Sequence, residues 1–465
     1  GLLLSVRQGT DVAQLGFGVL ALVVVLLLTA ATLNLTRSRT GLRLLAVRAS
    51  ETVASSVGVN VTAAKLTAFA LASFAAGVSG SLIAYSFGQF SAGSFDVLAA
   101  GLPFLAFAYV GGINSVLGAS LAAVLVPAGV AVTLLSGVGT ALGQYYLLAS
   151  GLALMAAAVA YPEGMGGALH RVALSLRRPS GASPHPPAAE PLFGPTLTAG
   201  EGEQLLSLDR LGVRYGGVVA LEAVSLEVRT GQVVGLIGPN GAGKTSLIDA
   251  VTGFTPATGS VKFSGAELLG LAPHQIARRG VVRTWQTPTG FRGLSVWEDL
   301  SVAAVGSRPL ALDLILPERT SSARAVAELA LTRVGAGGLA LLGTEQLTSG
   351  QQRLVGIARA LMRQPRLLLL DEPAAALDAL ESRQLAARVR QLAAEGMGIL
   401  LVDHDMEFVF SSCDFVYVLD FGRLIAKGPP QAVQADRAVK AAYLGAEAVA
   451  EPGPVDPGRS RPGGL

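Results

Sequence analysis

Val233-Val234-Gly235-Leu236-Ile237 runs directly into Gly238-Pro239-Asn240-Gly241-Ala242-Gly243-Lys244-Thr245-Ser246. A short apolar run that stops at glycine reads as a buried strand. The Gly-x-x-x-x-Gly-Lys-Thr pattern after it reads as a phosphate-binding loop, and residues 246–251 continue as a helix. Strand, loop and helix in that order are the setting the pattern requires. Glycines at these positions let backbone N–H groups wrap phosphate oxygens, and the helix N-terminus adds its positive dipole end. Gly238, Asn240, Gly241, Gly243 and Ser246 would line that cradle. Lys244 would reach the terminal phosphates, and the Thr245 hydroxyl would ligate Mg²⁺.

A second apolar run, 367–370, ends in Asp371-Glu372. An acidic pair at the carboxyl end of a strand suits a phosphate site. Asp371 would hold the Mg²⁺ shell, and Glu372 would orient and deprotonate an attacking water. On its own the pair would read equally well as the acidic start of a helix. Beside the phosphate loop it reads as chemistry.

Outward from this core, the chain changes solvent. Of its 465 residues 51% are hydrophobic and 14% charged, with a net charge of +3. Soluble domains carry about 25% charged residues. The balance excludes a disordered chain, a nucleic-acid binder and a wholly soluble enzyme, and the length corresponds to about three folding units. The single Cys413 excludes a disulfide framework. None of the four His is paired at i, i+4, which argues against a zinc-catalytic helix.

Residues 1–165 hold only ten charged groups, and stretches 66–95 and 97–162 hold none. A membrane-spanning helix needs about 20 apolar residues. Stretches 15–35 and 66–87 each supply one span. The long run 97–135, broken at 111–114, supplies two, and 144–161 a fifth. The alternative is a large buried soluble bundle, which charge-free runs of this length rarely form. Arg37, Arg39, Arg43 and Arg48 lie between the first two spans, and Arg171, Arg177 and Arg178 follow the fifth. The positive-inside rule puts both segments on the cytoplasmic side, consistent with five spans from an outside N-terminus. Residues 169–203 are rich in Pro, Ala and Gly and read as a linker; 447–465 read as a disordered tail. The expected fold is multi-domain: an all-α polytopic membrane domain (1–168), then an α/β P-loop nucleotide-binding domain (204–446).

Between the two acidic and glycine-rich motifs lies Leu347-Thr348-Ser349-Gly350-Gln351-Gln352-Arg353. It resembles the signature of ABC transporters, commonly Leu-Ser-Gly-Gly-Gln. Thr348 keeps a hydroxyl, whereas Ser349 puts a side chain where the family usually has none. Gln286 in Arg283-Thr284-Trp285-Gln286 matches the family's Q-loop, Asp378 in Ala376-Leu377-Asp378 its D-loop, and His404 in Asp403-His404-Asp405 its switch histidine. Tyr215 matches the aromatic that stacks on adenine. The run from Phe291 to Leu300, Asp403-His404-Asp405-Met406 and Ala442-Tyr443-Leu444-Gly445 resemble the ATPase of branched-chain amino acid importers. Gly41–Arg48, Gly58–Leu66 and Tyr109-Val110-Gly111-Gly112-Ile113-Asn114 resemble the permease of the same system.

That resemblance implies ATP and Mg²⁺ as cofactors. Catalysis would rest on Glu372, His404 and Gln286, and the metal on Thr245, Gln286 and Asp371. Thr348, Ser349, Gly350, Gln351 and Asp378 would complete the site of a second ATPase. The implied partners are that second ATPase subunit, a second permease subunit, an extracytoplasmic solute-binding protein, membrane lipid and an amino-acid substrate, without nucleic acid. The implied location is the bacterial cytoplasmic (inner) membrane, multi-pass, with the ATPase inside. Residues 42–58 are expected to form a coupling segment that docks on the ATPase near Gln286, with Glu51 as its charged contact. The family's permease has more helices than five and this chain starts at Gly1, so sequence upstream is expected. Urea or short amides as solute, an exporter, and a membrane-tethered regulatory protein stay open.

Overall fold

The computed structural model describes residues 11–87, 202–286, 290–291, 294–304 and 320–444, with single positions at Ala108, Gly112, Gly118, Ala119 and Met155. The spans expected at 97–135 and 144–161, the linker up to residue 201 and the tail 447–465 lie outside the described residues. The chain divides into two compact units, 1–37 with 68–185, and 38–67 with 186–465.

In the first unit, α1 (Asp11–Arg37) and the greater part of α4 (Val61–Phe87) are long, apolar helices. Residues 16–36 and 61–85 are long and apolar enough to cross a membrane, and neither is buried within the protein. They coincide with the first two stretches expected to span a membrane. Leu22, Leu26, Leu27, Phe69 and Phe74 are exposed, the arrangement a helix adopts when lipid is its solvent. Phe17 stacks on Tyr85, joining α1 to α4 with ring centroids 5.3 Å apart.

The second unit starts with α2 (Arg39–Ala49) and α3 (Glu51–Ser56). Serines set both helix starts. Ser38 Oγ accepts from the Gly41 N–H at 3.2 Å, and Ser50 Oγ accepts from the Val53 N–H at 3.3 Å. Gly58, at φ +92°, ends the pair. The sequence reading counted this segment within the membrane domain, 1–168, but expected 42–58 to dock on the ATPase. By its contacts it belongs with the ATPase, because its apolar residues have their partners there. Ala46, Val53, Ala54 and Val57 are buried in the same apolar core as Val302, Ala303, Leu361 and Met362.

Two sheets organise the rest. Strands β1 (Gln204–Tyr215), β2 (Val218–Arg229), β4 (Thr258–Phe263) and β5 (Ala266–Glu267) form an antiparallel sheet in the order β2-β1-β4-β5. Strands β3 (Val233–Ile237), β6 (Val281–Arg283), β7 (Leu367–Asp371), β8 (Gly398–Val402), β9 (Phe415–Asp420) and β10 (Arg423–Gly428) form the central sheet. Its order is β10-β9-β3-β8-β7-β6, parallel except for the β9–β10 hairpin.

β3, β7 and β8 are buried along their whole length, which explains their unbroken Val, Leu and Ile runs. Alternate residues still part to opposite faces. Val233 and Ile237 join the core with the helical layer, while Val234 and Leu236 join the core under the antiparallel sheet.

Candidate functional site

Register brings the polar ends together. Leu236 of β3 pairs with Val402 of β8, and Val402 pairs with Asp371 of β7. The phosphate loop, Asp371-Glu372 and Asp403-His404 therefore leave the sheet at one edge, side by side. In open α/β sheets ligands bind at the carboxyl ends of the strands.

The loop between β3 and the helix Lys244–Val251 needs its glycines. Gly238, Gly241 and Gly243 all have positive φ, at 154°, 83° and 104°. A Cβ on Gly238 would lie 2.0 Å from the Leu419 carbonyl oxygen, and one on Gly243 2.5 Å from that of Ala220. Close backbone approach, not side-chain chemistry, dictates these two residues. Lys244 is buried, and its Nζ donates to the carbonyls of Gly238 and Pro239 at 2.6 and 2.9 Å. Burial holds its ammonium below the usual pKa, against the opposing pull of Glu372 and Asp371. Thr245 is exposed at the first turn.

Asp371 is 3% exposed. Burial pushes its carboxyl up to about 6 despite the neighbouring Arg283 guanidinium, which lies 3.4 Å from Oδ2. The Asp371 N–H donates to Thr284 Oγ1 at 3.2 Å. Glu372 has φ +48°, a left-handed conformation uncommon for a residue with a side chain. Its N–H donates to the Val402 carbonyl at 2.7 Å, and Arg353 Nη1 donates to its carbonyl. His404 Nδ1 stands 3.8 Å from Glu372 Oε1. Buried Asp403 holds the turn below it, accepting from the N–H groups of Ala374, His404 and Asp405 at 3.2, 2.8 and 3.0 Å.

The expected signature residues form a second cluster, with Thr348 and Ser349 exposed and Gly350 and Gln351 half-buried. Thr348 caps the helix Ser349–Leu361: its hydroxyl accepts from the Gln351 N–H at 3.3 Å, and Gln351 Oε1 accepts from the Thr348 N–H at 3.0 Å. Ser349 is the first, exposed residue of that helix. Gly350 abuts the D-loop, where an added Cβ would meet Leu377 at 3.1 Å. Asp378 caps the helix Ala379–Ala394, accepting from the N–H groups of Leu380 and Glu381 at 2.8 Å each. Tyr215 ends β1 half-exposed, its hydroxyl 3.1 Å from Thr255 Oγ1. Gln286 is exposed, three residues beyond β6.

The sequence reading gave no role to Arg283, Arg353, Asp403 or Trp285. Each was quoted inside a motif, but none carries a spacing signal, because each acts on a residue distant in the chain.

Strand ends that collect a phosphate loop, an acidic pair and a histidine define a P-loop ATPase of the ABC type. Comparison with known proteins agrees. Residues 221–375 match the ABC transporter family. Residues 6–158 match the branched-chain amino acid transport system permease component, and 423–449 the branched-chain amino acid ATP-binding cassette transporter. The high-affinity branched-chain amino acid transport ATP-binding protein BraF of Pseudomonas aeruginosa is 39% identical over 249 residues, covering 52% of this chain and 98% of that protein. LivG of Escherichia coli, with the same description, is 38% identical over 251 residues, covering 52% and 98%. The lipopolysaccharide export system ATP-binding protein LptB of Acidithiobacillus ferridurans is 34% identical over 245 residues, covering 52% and 97%. A nucleotide-free ATP-binding cassette from an ABC transporter aligns with a TM-score of 0.47 at 30% identity, covering 52% of this chain and 99% of that one. The chain belongs to the branched-chain amino acid ABC transporter family, and joins a membrane permease domain to an ATP-hydrolysing domain.

Proposed function

We propose that the chain is one permease–ATPase arm of an ATP-driven importer of branched-chain or other hydrophobic amino acids. The observation that carries the coupling is the position of 38–67: the segment between two membrane-type helices is built into the ATPase core. An ATPase without transport would have no use for such a segment. BraF and LivG, both described as high-affinity branched-chain amino acid transport proteins, support the solute.

In this reading the loop from Gly238 to Ser246 holds the phosphates, and Lys244 neutralises charge as the terminal phosphate leaves. Glu372 takes the proton of the attacking water, His404 steadies it from 3.8 Å away, and Gln286 orients the water. Tyr215 stacks on adenine. Thr348, Ser349, Gly350, Gln351 and Asp378, on the second cluster, complete the site of a second ATPase subunit.

Mg²⁺ fits the donors present. The Thr245 hydroxyl, the Gln286 amide oxygen and the Asp371 carboxylate are hard oxygen ligands, and this ion takes few protein ligands beside phosphate oxygens. Accordingly, the described residues contain no group of three or more His, Cys, Asp or Glu able to hold a metal by themselves. When bound, the ion would supply charge neutralisation across the terminal phosphates.

A second permease, an extracytoplasmic solute-binding protein and the bacterial cytoplasmic membrane complete the proposed machine. Domain limits follow the sequence reading: permease 1–168, linker 169–203, ATPase 204–446 and tail 447–465, with 38–67 riding on the ATPase. The test is ATP turnover of the reconstituted complex with solute-loaded binding protein. Stimulation by leucine, isoleucine or valine is expected. Stimulation by urea or an amide would keep the importer and change the solute. Turnover indifferent to any binding protein would favour the exporter or the regulatory alternative.

A further inference from the structure

A continuous chain of contacts runs from the coupling segment to Asp371. Ser56, the last residue of α3, is buried. Its Oγ donates to the Val53 carbonyl at 2.8 Å and accepts from Trp285 Nε1 at 3.0 Å. The guanidinium of Arg283 lies over the Trp285 ring, 3.8 Å from the centroid. The edge of Phe254 closes the aromatic side, its centroid 5.0 Å from that of Trp285. From this stack the Arg283 side chain, 1% exposed, ion-pairs with Asp249 on the P-loop helix and reaches Asp371 Oδ2 at 3.4 Å. Arg283 Nε is buried and finds no hydrogen-bond partner among the described residues.

A desolvated guanidinium is costly, and apolar side chains of similar volume often stabilise a core as well or better. Its geometry here is specific. The planar group offers one flat face to a tryptophan and one edge to two carboxylates, which a lysine ammonium cannot do. The tryptophan in turn is oriented by one hydrogen bond, and that bond comes from the coupling segment. A second tie at the same junction, Arg278 Nε to the Gly58 carbonyl at 3.2 Å, fixes the end of that segment.

We propose that Trp285 and Arg283 are positioning residues that transmit the seating of the coupling segment to Asp371. Displacement of Ser56 frees the indole, the stacked guanidinium follows, and the carboxylate beside the phosphate loop loses its fixed orientation. The relay works equally in reverse, because coupling between two sites is reciprocal. This inference deepens the transport reading and rests on it for the direction of signalling.

The experiment uses the full-length chain reconstituted with its partner subunits. Ser56→Ala removes the acceptor, and Trp285→Phe keeps an aromatic ring but removes the N–H. Each is expected to lower the ratio of solute-stimulated to basal ATP turnover by about five-fold, the worth of one hydrogen bond. Basal kcat and the KM for ATP should stay within about two-fold of wild type. The double variant should be no worse than either single one, since both break the same contact. Full stimulation in both variants overturns the relay. Equal loss of basal and stimulated turnover also overturns it, in favour of a structural role.

A second measurement needs no solute. The chain has two tryptophans, so Trp297→Phe leaves Trp285 as its one indole. In the purified full-length chain, Mg²⁺ added with a non-hydrolysable ATP analogue is expected to shift Trp285 emission, and Arg283→Met should abolish the shift. Emission that ignores Mg²⁺, or shifts equally without Arg283, overturns the relay. A wild-type complex that no solute stimulates would instead overturn the transport reading, leaving the fluorescence result to judge the relay.

Discussion

At the carboxyl ends of β3, β7 and β8, buried carboxylates of Asp371 and Asp403 sit beside a buried ammonium and loops held at positive φ. In the groove that takes 38–64, the buried groups are mostly apolar, Leu42, Ala46, Val53, Ala54 and Val57 among them, with Ser38, Thr40, Arg43 and Ser56 as buried polar ones. The first region stores strained backbone and unfavourable electrostatics, and phosphate and Mg²⁺ bound together would offset the buried charges of both signs. The second stores apolar contact, which has no direction of its own and tolerates sliding. A transporter needs both. Chemistry demands fixed atoms, whereas a joint that passes motion demands adhesion with only a few orienting bonds.

Substitutions should divide along the same line, with the largest effects at the nucleotide end. Glu372→Gln is expected to cut ATP turnover at least 10²-fold, the worth of a general base, while nucleotide binding persists. Turnover and nucleotide affinity measured side by side check this, and full turnover would remove Glu372 as the base. Gly238→Ala would force a Cβ to 2.0 Å from the Leu419 oxygen. It should abolish nucleotide binding in a titration while the coupling segment, probed by proteolysis of 38–67, remains seated.

Asp371 offers a pH test. Its carboxyl is raised from 3.8 to about 6. The folded nucleotide-free state therefore binds the proton more tightly than the unfolded one. Stability is greatest below the unfolded pKa and falls as pH rises through about 6. Asp371→Asn, a neutral near-isostere, should thus raise the melting free energy of the nucleotide-free protein above pH 7 by up to about 3 kcal/mol. The gain should fade toward pH 4, as thermal unfolding across pH 4–8 would show.

The groove supplies the sharpest contrast. The sequence reading gave Glu51 the docking role, yet it forms an exposed ion pair with Lys65 at 2.7 Å within its own segment. Ala54→Asp, which buries an unpaired charge at a fully enclosed position, should uncouple transport from ATP turnover. Glu51→Arg should change transport less than about five-fold, since exposed pairs contribute about 1 kcal/mol or less. Uptake and ATP turnover in proteoliposomes would separate the two, and strong uncoupling by Glu51→Arg alone would return the joint to charge.

The same contrast explains what was legible beforehand. Local physics set the nucleotide end. Only glycine fits the backbone of Gly238 and Gly243, only a lysine reaches across the loop as Lys244 does, and an unbroken apolar run such as 367–370 belongs to a buried strand. Such demands leave residues at fixed spacings, so the phosphate loop, the acidic pair, His404 and the first two apolar helices could be read from the sequence alone. Tertiary structure decided what depends on long-range pairing. It brought Arg283 to Asp371 across 88 positions, Trp285 to Ser56 across 229, and Ala54 into a core made mostly by the ATPase. Ala, Val and Ser in a short helix look alike whether they face water or a groove. Burial alone tells them apart, and burial is a property of the folded neighbour.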